Sequence, residues 1–273
     1  MRAESSSETG GVQRLLGADD PAPVEVVRPA GTSPFFLTCE HAGRTFPARL
    51  GTLGLTDLDL DRHIAWDIGA AGVARELSAR LDATLVLQRY SRLVVDCNRT
   101  PGTVDFVIEL SEDTLIPGNQ RLSEAAIEMR ATEIFHPYHD RIHDLLEARN
   151  AAGRLTVAVS VHTCTPVYLG VHRPWHVGVL YEHDDRLARE MLAILREEGE
   201  TAGLVVGDNE PYFMTSDKDY SMPRHGQGRG ILHAGFEIRQ DLVERESGQR
   251  EWAHRVERAL RESLGRLKES GKL

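Results

Sequence analysis

At 273 residues and 30.4 kDa the chain has the length of one large α/β domain or two small ones, and a single domain is the expectation. Lys and Arg total 32 against 42 Asp and Glu, and the net charge of −10 excludes a nucleic-acid or anionic-membrane partner engaged through overall charge, so any anion must be caught locally. Three cysteines among 41% apolar residues describe an ordinary core, not a disulfide scaffold.

Ser5-Ser6-Ser7-Glu8-Thr9-Gly10-Gly11, followed by Pro21, Pro23 and Pro29, is too polar and too interrupted to repay its ordering entropy by burial. Residues 1–30 are therefore expected to be a loosely held tail ahead of a single catalytic-type domain over 31–273. The tail lacks the apolar run of about 7–15 residues of a signal peptide, and no stretch approaches the ~20 apolar residues of a membrane span. The expected location is the cytoplasm.

From Phe35 an apolar run, Phe35-Phe36-Leu37-Thr38-Cys39, predicts a strand that empties into Glu40-His41-Ala42-Gly43. Ile64, Ile68, Ala71, Val73, Leu77 and Leu81 recur at helical spacing behind the acidic Asp57, Asp59 and Asp61, which predicts a helix over about 58–81. Two strand-like runs follow, Thr84-Leu85-Val86-Leu87 and Leu93-Val94-Val95-Asp96, the second opening into Asn98-Arg99 and turn residues. Ser123 is placed to cap a helix reaching about Ala148, bent by Pro137. The nearly continuous apolar run Leu155 to Val161, ending at His162, reads as a strand buried on both faces of a parallel sheet.

Beyond it the pattern predicts a strand over His176 to Tyr181, a helix over Asp184 to Ala202, a short strand Leu204 to Val206 and a polar loop 208–229. A strand ending at Glu237-Ile238 and a last helix over about 247–269 close the chain. Strands alternating with helices imply a three-layer α/β/α domain on a mostly parallel mixed sheet.

Four segments leave that sheet with side chains able to bind a metal, move protons or hold anions: Glu40-His41, Asp96-Asn98-Arg99, His162 and Glu237. A catalytic zinc takes about three protein ligands, commonly two His and a carboxylate, and leaves a position open. Most of the 12 histidines have no distinguishing context, but His41 and His162 each end an apolar strand beside small or hydroxyl residues, where a cleft is expected. A carboxylate in a partly desolvated cleft, as Glu237 would be, tends to have a raised pKa suited to proton transfer. The competing reading is a salt bridge from Glu237 to Arg239, two positions on along the same strand face.

The set Cys39-Glu40-His41-Ala42-Gly43, Ser91-Arg92-Leu93-Val94-Val95-Asp96-Cys97-Asn98-Arg99, Ser160-Val161-His162-Thr163 and Gly235-Phe236-Glu237-Ile238-Arg239-Gln240-Asp241-Leu242 resembles the N-formylglutamate amidohydrolase family. It is more distantly similar to the zinc aspartoacylase, succinylglutamate desuccinylase and carboxypeptidase group. The resemblance implies a phosphorylase/hydrolase-like fold and a zinc hydrolase, with one Zn²⁺ per chain, that cleaves the amide of an N-formyl amino acid such as N-formylglutamate. His41 and His162 match its two histidine ligands, and Glu237 its general base, which accepts a proton from zinc-activated water and passes it to the leaving nitrogen. The carboxypeptidase-like His-x-x-Glu is missing, since the run here is His41-Ala42-Gly43-Arg44, so the third ligand comes from elsewhere. Asp67, which matches an acidic position of the family, is ranked above Glu40, because neighbours on a strand point to opposite faces.

Asn98 and Arg99 match a pair that binds the substrate carboxylate in the aspartoacylase-like relatives. Arg92, Arg239 and Arg173 are candidates for a second anion clamp, Asp96 for orienting Arg99, and Tyr212, His225 and Asn209 for substrate contacts from the polar loop. The expected partner is a small anionic acyl amino acid, with no nucleic acid and no membrane, and the oligomeric state is left open. Two other readings stand beside this one. The first is a cysteine or serine hydrolase using Cys39, Cys97 or Cys164, without a Gly-x-Ser-x-Gly elbow to support it. The second is a non-catalytic binder of acyl amino acids that kept the fold.

Overall fold

Phe35–Cys39 (β2), Thr84–Gln88 (β3) and Val157–Cys164 (β4) are buried along their whole length, as their unbroken apolar runs require, and they form the centre of a seven-stranded sheet in a computed structural model that describes residues 14–273. With Val24–Val27 (β1), Val177–Leu180 (β5), Val206–Asp208 (β6) and Leu232–Arg239 (β7), the order across the sheet is β1-β3-β2-β4-β7-β5-β6. Four of the six pairings are parallel; β1 against β3 and β7 against β5 are antiparallel.

Ala70–Leu81 (α2), Arg186–Ala202 (α5) and Glu246–Glu269 (α7) bury their apolar stripes on one face of the sheet. Glu124–Arg130 (α3), His136–Ala151 (α4) and the short Ser221–His225 (α6) lie over the other, where Phe36, Val86, Phe135, Tyr138 and Ile142 share a second core. The result is the expected three-layer α/β/α arrangement. Among the described residues no helix is long and apolar enough to cross a membrane.

Several expectations differ from what is found, among them the loop 208–229, which holds the helix Ser221–His225. The segment before residue 31 is tied to the domain from Arg14 on: β1 is an edge strand, Tyr90 Oη donates to Pro21 O at 2.7 Å, and the Glu133 carboxylate accepts from the Leu15 and Leu16 amides. The tail reading for residues 1–13 falls outside the described residues. The helix over 58–81 is two helices, Asp57–Leu60 (α1), closed at its start by a Thr56–Asp59 capping box, and α2, with turns between them and Gly69 at φ 83°.

Leu93-Val94-Val95 is a buried turn and not a strand. Asn119 Nδ2 donates to Leu93 O at 2.8 Å and Arg130 Nη1 to Val94 O at 2.9 Å, so side chains satisfy the backbone that a sheet would have paired. The helix from Ser123, which does cap it by accepting from Ala126 N, is interrupted by a π-turn at Ala131–Phe135. In an unbroken α-helix the Pro137 ring would meet the carbonyl of Glu133, and the wider turn sits at that place.

Candidate active site

The parallel strands β2 and β4 run in one direction, so their carboxyl ends deliver polar residues to the same edge of the sheet. His41 follows β2 by two residues. His162 lies near the end of β4, and Glu237 on β7 is its register partner, so the two side chains stand on one face of adjacent strands. Asp67 reaches them from the turn before α2, where its amide donates to His41 O at 3.0 Å, and not from a helix as its spacing suggests. Gly43 lets the chain turn away: a Cβ there would stand 1.9 Å from Arg89 O. Gly43→Ala is expected to lower stability by about 1–3 kcal/mol, read by chemical denaturation, because backbone and not a flexible side chain must shift.

Both imidazoles present Nδ1 to one carboxylate oxygen. His162 Nδ1 is 2.8 Å and His41 Nδ1 3.4 Å from Asp67 Oδ2, with ring centroids 4.9 Å apart. Their far nitrogens face two further carboxylates: His41 Nε2 lies 2.7 Å from Asp96 Oδ1, and His162 Nε2 is 3.0 Å from Glu40 Oε2. For His41 the short contact to Asp96 holds Nε2 as the protonated nitrogen and leaves Nδ1 free to ligate, while His162 makes its hydrogen bond through Nδ1 to Asp67 with the Glu40 carboxylate at ion-pair distance behind it. Although burial alone would raise its pKa, Glu40 is pulled down to about 2 by His162, Ser221 and Thr38. Burial opposes ionisation of Asp67 and Asp96 too, yet the two histidines hold Asp67, and Arg92 with His41 holds Asp96, well below the usual carboxylate range.

Glu237 is different. Among the described residues its Oε2 has no hydrogen-bond partner, and burial pushes its carboxyl up to about 7 against the opposing pull of His162. The alternative salt bridge to Arg239 is not formed, since Arg239 pairs with Asp241 at 2.8 Å. The three thiols are buried, and burial raises each pKa, so none is the low-pKa thiolate that a cysteine nucleophile requires.

These groups open on a cavity of about 220 Å³. Arg92, Asn98, Arg99 and Tyr212 all line it. Arg92 donates to Asp96 Oδ2 from Nε at 2.9 Å and stands 3.6 Å from Asp67 Oδ1. Asn98 Oδ1 accepts from the Ser221 and Tyr220 amides, which leaves its amide group facing the cavity without a protein acceptor among the described residues. Arg99 is held at 2.8 Å by both Asp105 and Asp219, so it braces the loop at the cavity wall.

Two expected substrate contacts are not brought in. His225 is buried against His139, Nε2 to Nδ1 at 2.9 Å, and burial with that neighbour pushes its pKa down to about 3; it packs behind the cavity because α6 turns its face to α4. Arg239 points away, to Asp241 and the carbonyls of Arg173 and Pro174. Asp96 orients His41 and Arg92; the carboxylates that hold Arg99 are Asp105 and Asp219.

A model of the family described as N-formylglutamate amidohydrolase matches residues 33–244, well over half the chain. The chain belongs to the N-formylglutamate amidohydrolase family. The gene product Atu2144 from Agrobacterium tumefaciens is 39% identical to it, with a TM-score of 0.89 over 93% of this chain and 100% of that one. An N-formylglutamate amidohydrolase from Ralstonia eutropha JMP134 shares the fold at 20% identity and a TM-score of 0.68, over 89% of this chain and 97% of that one. No curated protein matches the chain.

In this family member the residues present fit a divalent metal. His41, Asp67 and His162 each offer a ligand atom within 4.8 Å of the others, and His41 Nδ1 is a buried nitrogen without a hydrogen-bond partner among the described residues. Glu40, Asp67 and Asp96 are buried carboxylates held ionised around the two imidazoles and Arg92, acidic surroundings suited to a cation. The roles of Glu40 and Asp96 behind the histidines were not legible in the sequence, although Glu40 sits next to His41: it serves the other histidine, across the strand pairing.

Proposed function

We propose that this chain is a zinc-dependent amidohydrolase that cleaves the C–N bond of an N-formyl amino acid, a small anionic substrate such as N-formylglutamate. The observation that carries the reading is the meeting of two imidazole Nδ1 atoms at Asp67 beside a buried, unpartnered Glu237 carboxylate. A two-histidine, one-carboxylate set with an exposed side toward a cavity is the donor set of catalytic zinc. When bound, the ion supplies a Lewis acid that lowers the pKa of water toward about 7 and polarises the formyl carbonyl.

The chain's own groups do the rest. Glu237 takes the proton of the attacking water and returns it to the departing nitrogen, so that formate and a free amino acid leave without an external acid or base. Arg92, oriented by Asp96, presents positive charge to the oxygen on which negative charge develops. Asn98 offers its amide group to the substrate, and Asp96 and Glu40 hold the two imidazoles in their ligating orientation.

Removing metal with a chelator is expected to abolish formate release from N-formyl-L-glutamate, and stoichiometric Zn²⁺ to restore it. The same assay run over N-formyl, N-acetyl and N-succinyl amino acids identifies the acyl group. Undiminished turnover in metal-free protein would remove the metal from the reaction. Binding without turnover in the zinc-loaded protein would make the chain a binder of acyl amino acids.

A further inference from the structure

Among the described residues three arginines are more than nine-tenths buried. Arg130 donates to Val94 O, Gly118 O and Asn119 Oδ1, and Arg149 to the carbonyls of Ser33, Pro34 and Leu155 and to Thr156 Oγ1. Arg173, 8% exposed, has a single long hydrogen bond, from Nη1 to Thr165 O at 3.5 Å, and among the described residues no carboxylate within ion-pair distance. A guanidinium carries five N–H donors in one plane, and leaving them unmet in a buried place is costly.

The surroundings of that plane are specific. Tyr168 covers Arg173 at 4.8 Å and Tyr212 at 4.6 Å, and both rings belong to the wall of the cavity that holds Glu237. The two rings take up two sides of the guanidinium, and its remaining donors match the two oxygens of a carboxylate. Arg173 stands next to those two rings; of the cations that line the cavity itself, Arg92 is occupied by Asp96, Arg99 by Asp105 and Asp219, and the exposed Lys218 stands 3.9 Å from Asp105.

The local chain is built to hold Arg173 there. Val167–Tyr168 and Val171–His172 pair as a small hairpin, Arg173 N donates to Pro166 O at 2.8 Å at its base, and Arg239 Nη1 donates to Arg173 O at 3.2 Å from the other side. Arg239 is thus a positioning residue for Arg173.

We infer that Arg173, clasped between Tyr168 and Tyr212, receives a carboxylate of the substrate and selects acidic or free-carboxylate ligands for this cavity. The inference rests on the reading of the site as one for acyl amino acids and adds the group that recognises them. An anionic substrate entering among Asp67, Asp96 and Glu237 needs a cation without an internal counter-ion, and Arg173, beside the tyrosine wall of the cavity, has among the described residues no carboxylate within ion-pair distance.

The test is calorimetric titration of the purified protein with glutarate, a dicarboxylate that cannot be hydrolysed, beside steady-state kinetics. Arg173→Met is expected to weaken glutarate about 10–100-fold, the loss of one charge-assisted bidentate contact. Arg173→Lys should recover part of it, and KM for N-formyl-L-glutamate should rise by a similar factor with kcat little changed. A KM for N-formyl-L-glutamine that is unaffected assigns the side-chain carboxylate to Arg173; one that rises equally assigns the α-carboxylate. If Arg173→Met does not fold, Arg173→Lys and Tyr168→Ala must each weaken glutarate. Wild-type protein that binds no glutarate, or binding unchanged in the folded variants, overturns the inference. Arg173-dependent binding in a protein that releases no formate would overturn the hydrolase reading alone.

Discussion

Glu237→Gln is expected to lower kcat for N-formyl-L-glutamate by about 10²–10⁴-fold while KM, zinc content and fold stay close to those of the parent, because an amide of the same shape can neither accept the water proton nor return one. The fold should tolerate the change: among the described residues Glu237 Oε2 has no hydrogen-bond partner to lose, and Arg239 is engaged by Asp241 instead. Zinc should remain because the ligand atoms belong to His41, Asp67 and His162. Single-turnover formate release together with metal analysis checks both parts. A variant that turns over within a factor of a few of the parent would take Glu237 out of the chemistry, and one that folds but loses zinc would make it a ligand.

The buried charges explain why so much side-chain chemistry is spent on a few ångströms. Asp96 joins Arg92 to His41, and Asp67 joins both histidines to Arg92 across 3.6 Å. Removing one member strands its partners in a place where water cannot solvate them, a penalty of about 3–5 kcal/mol when a buried ion pair is broken. Substitutions here therefore mix stability with catalysis unless the replacement keeps the hydrogen bond that faces away from the cavity.

The sequence shows those parts of the site that a strand delivers. His41, His162 and Glu237 end apolar runs, and in a mostly parallel sheet such ends share an edge, so their convergence follows from pattern and topology alone. What sits behind them depends on register. Glu40 holds a histidine 122 positions away, and Arg99 is held by Asp219 120 positions away, distances over which periodicity carries no information. Leu93-Val94-Val95 misleads for a related reason: apolar runs report burial, and here buried Asn119 and Arg130 side chains replace the strand that would have satisfied the backbone. The edge strand β1 is hidden by the prolines around it, which an edge tolerates because one side of the strand needs no partner.

His162→Gln is expected to abolish stoichiometric zinc binding and bring turnover to background in a chain that still folds. The reasoning is geometric. A glutamine amide reaches about as far as imidazole Nε2, so it keeps an N–H donor beside the wholly buried Glu40 carboxylate although the charge of a protonated ring is lost, while nothing remains at the place of Nδ1. Glu40→Gln makes the reverse change: both Nδ1 atoms stay, only the carboxylate behind His162 is neutralised, and the expected loss of zinc affinity is about 10–100-fold with activity recovered at high Zn²⁺. Competition against a chelating dye, with thermal melting of each variant as the control on folding, separates the two. Full zinc occupancy in His162→Gln would show that the imidazole ligates nothing, and an affinity unaltered in Glu40→Gln would leave Glu40 with a packing role alone.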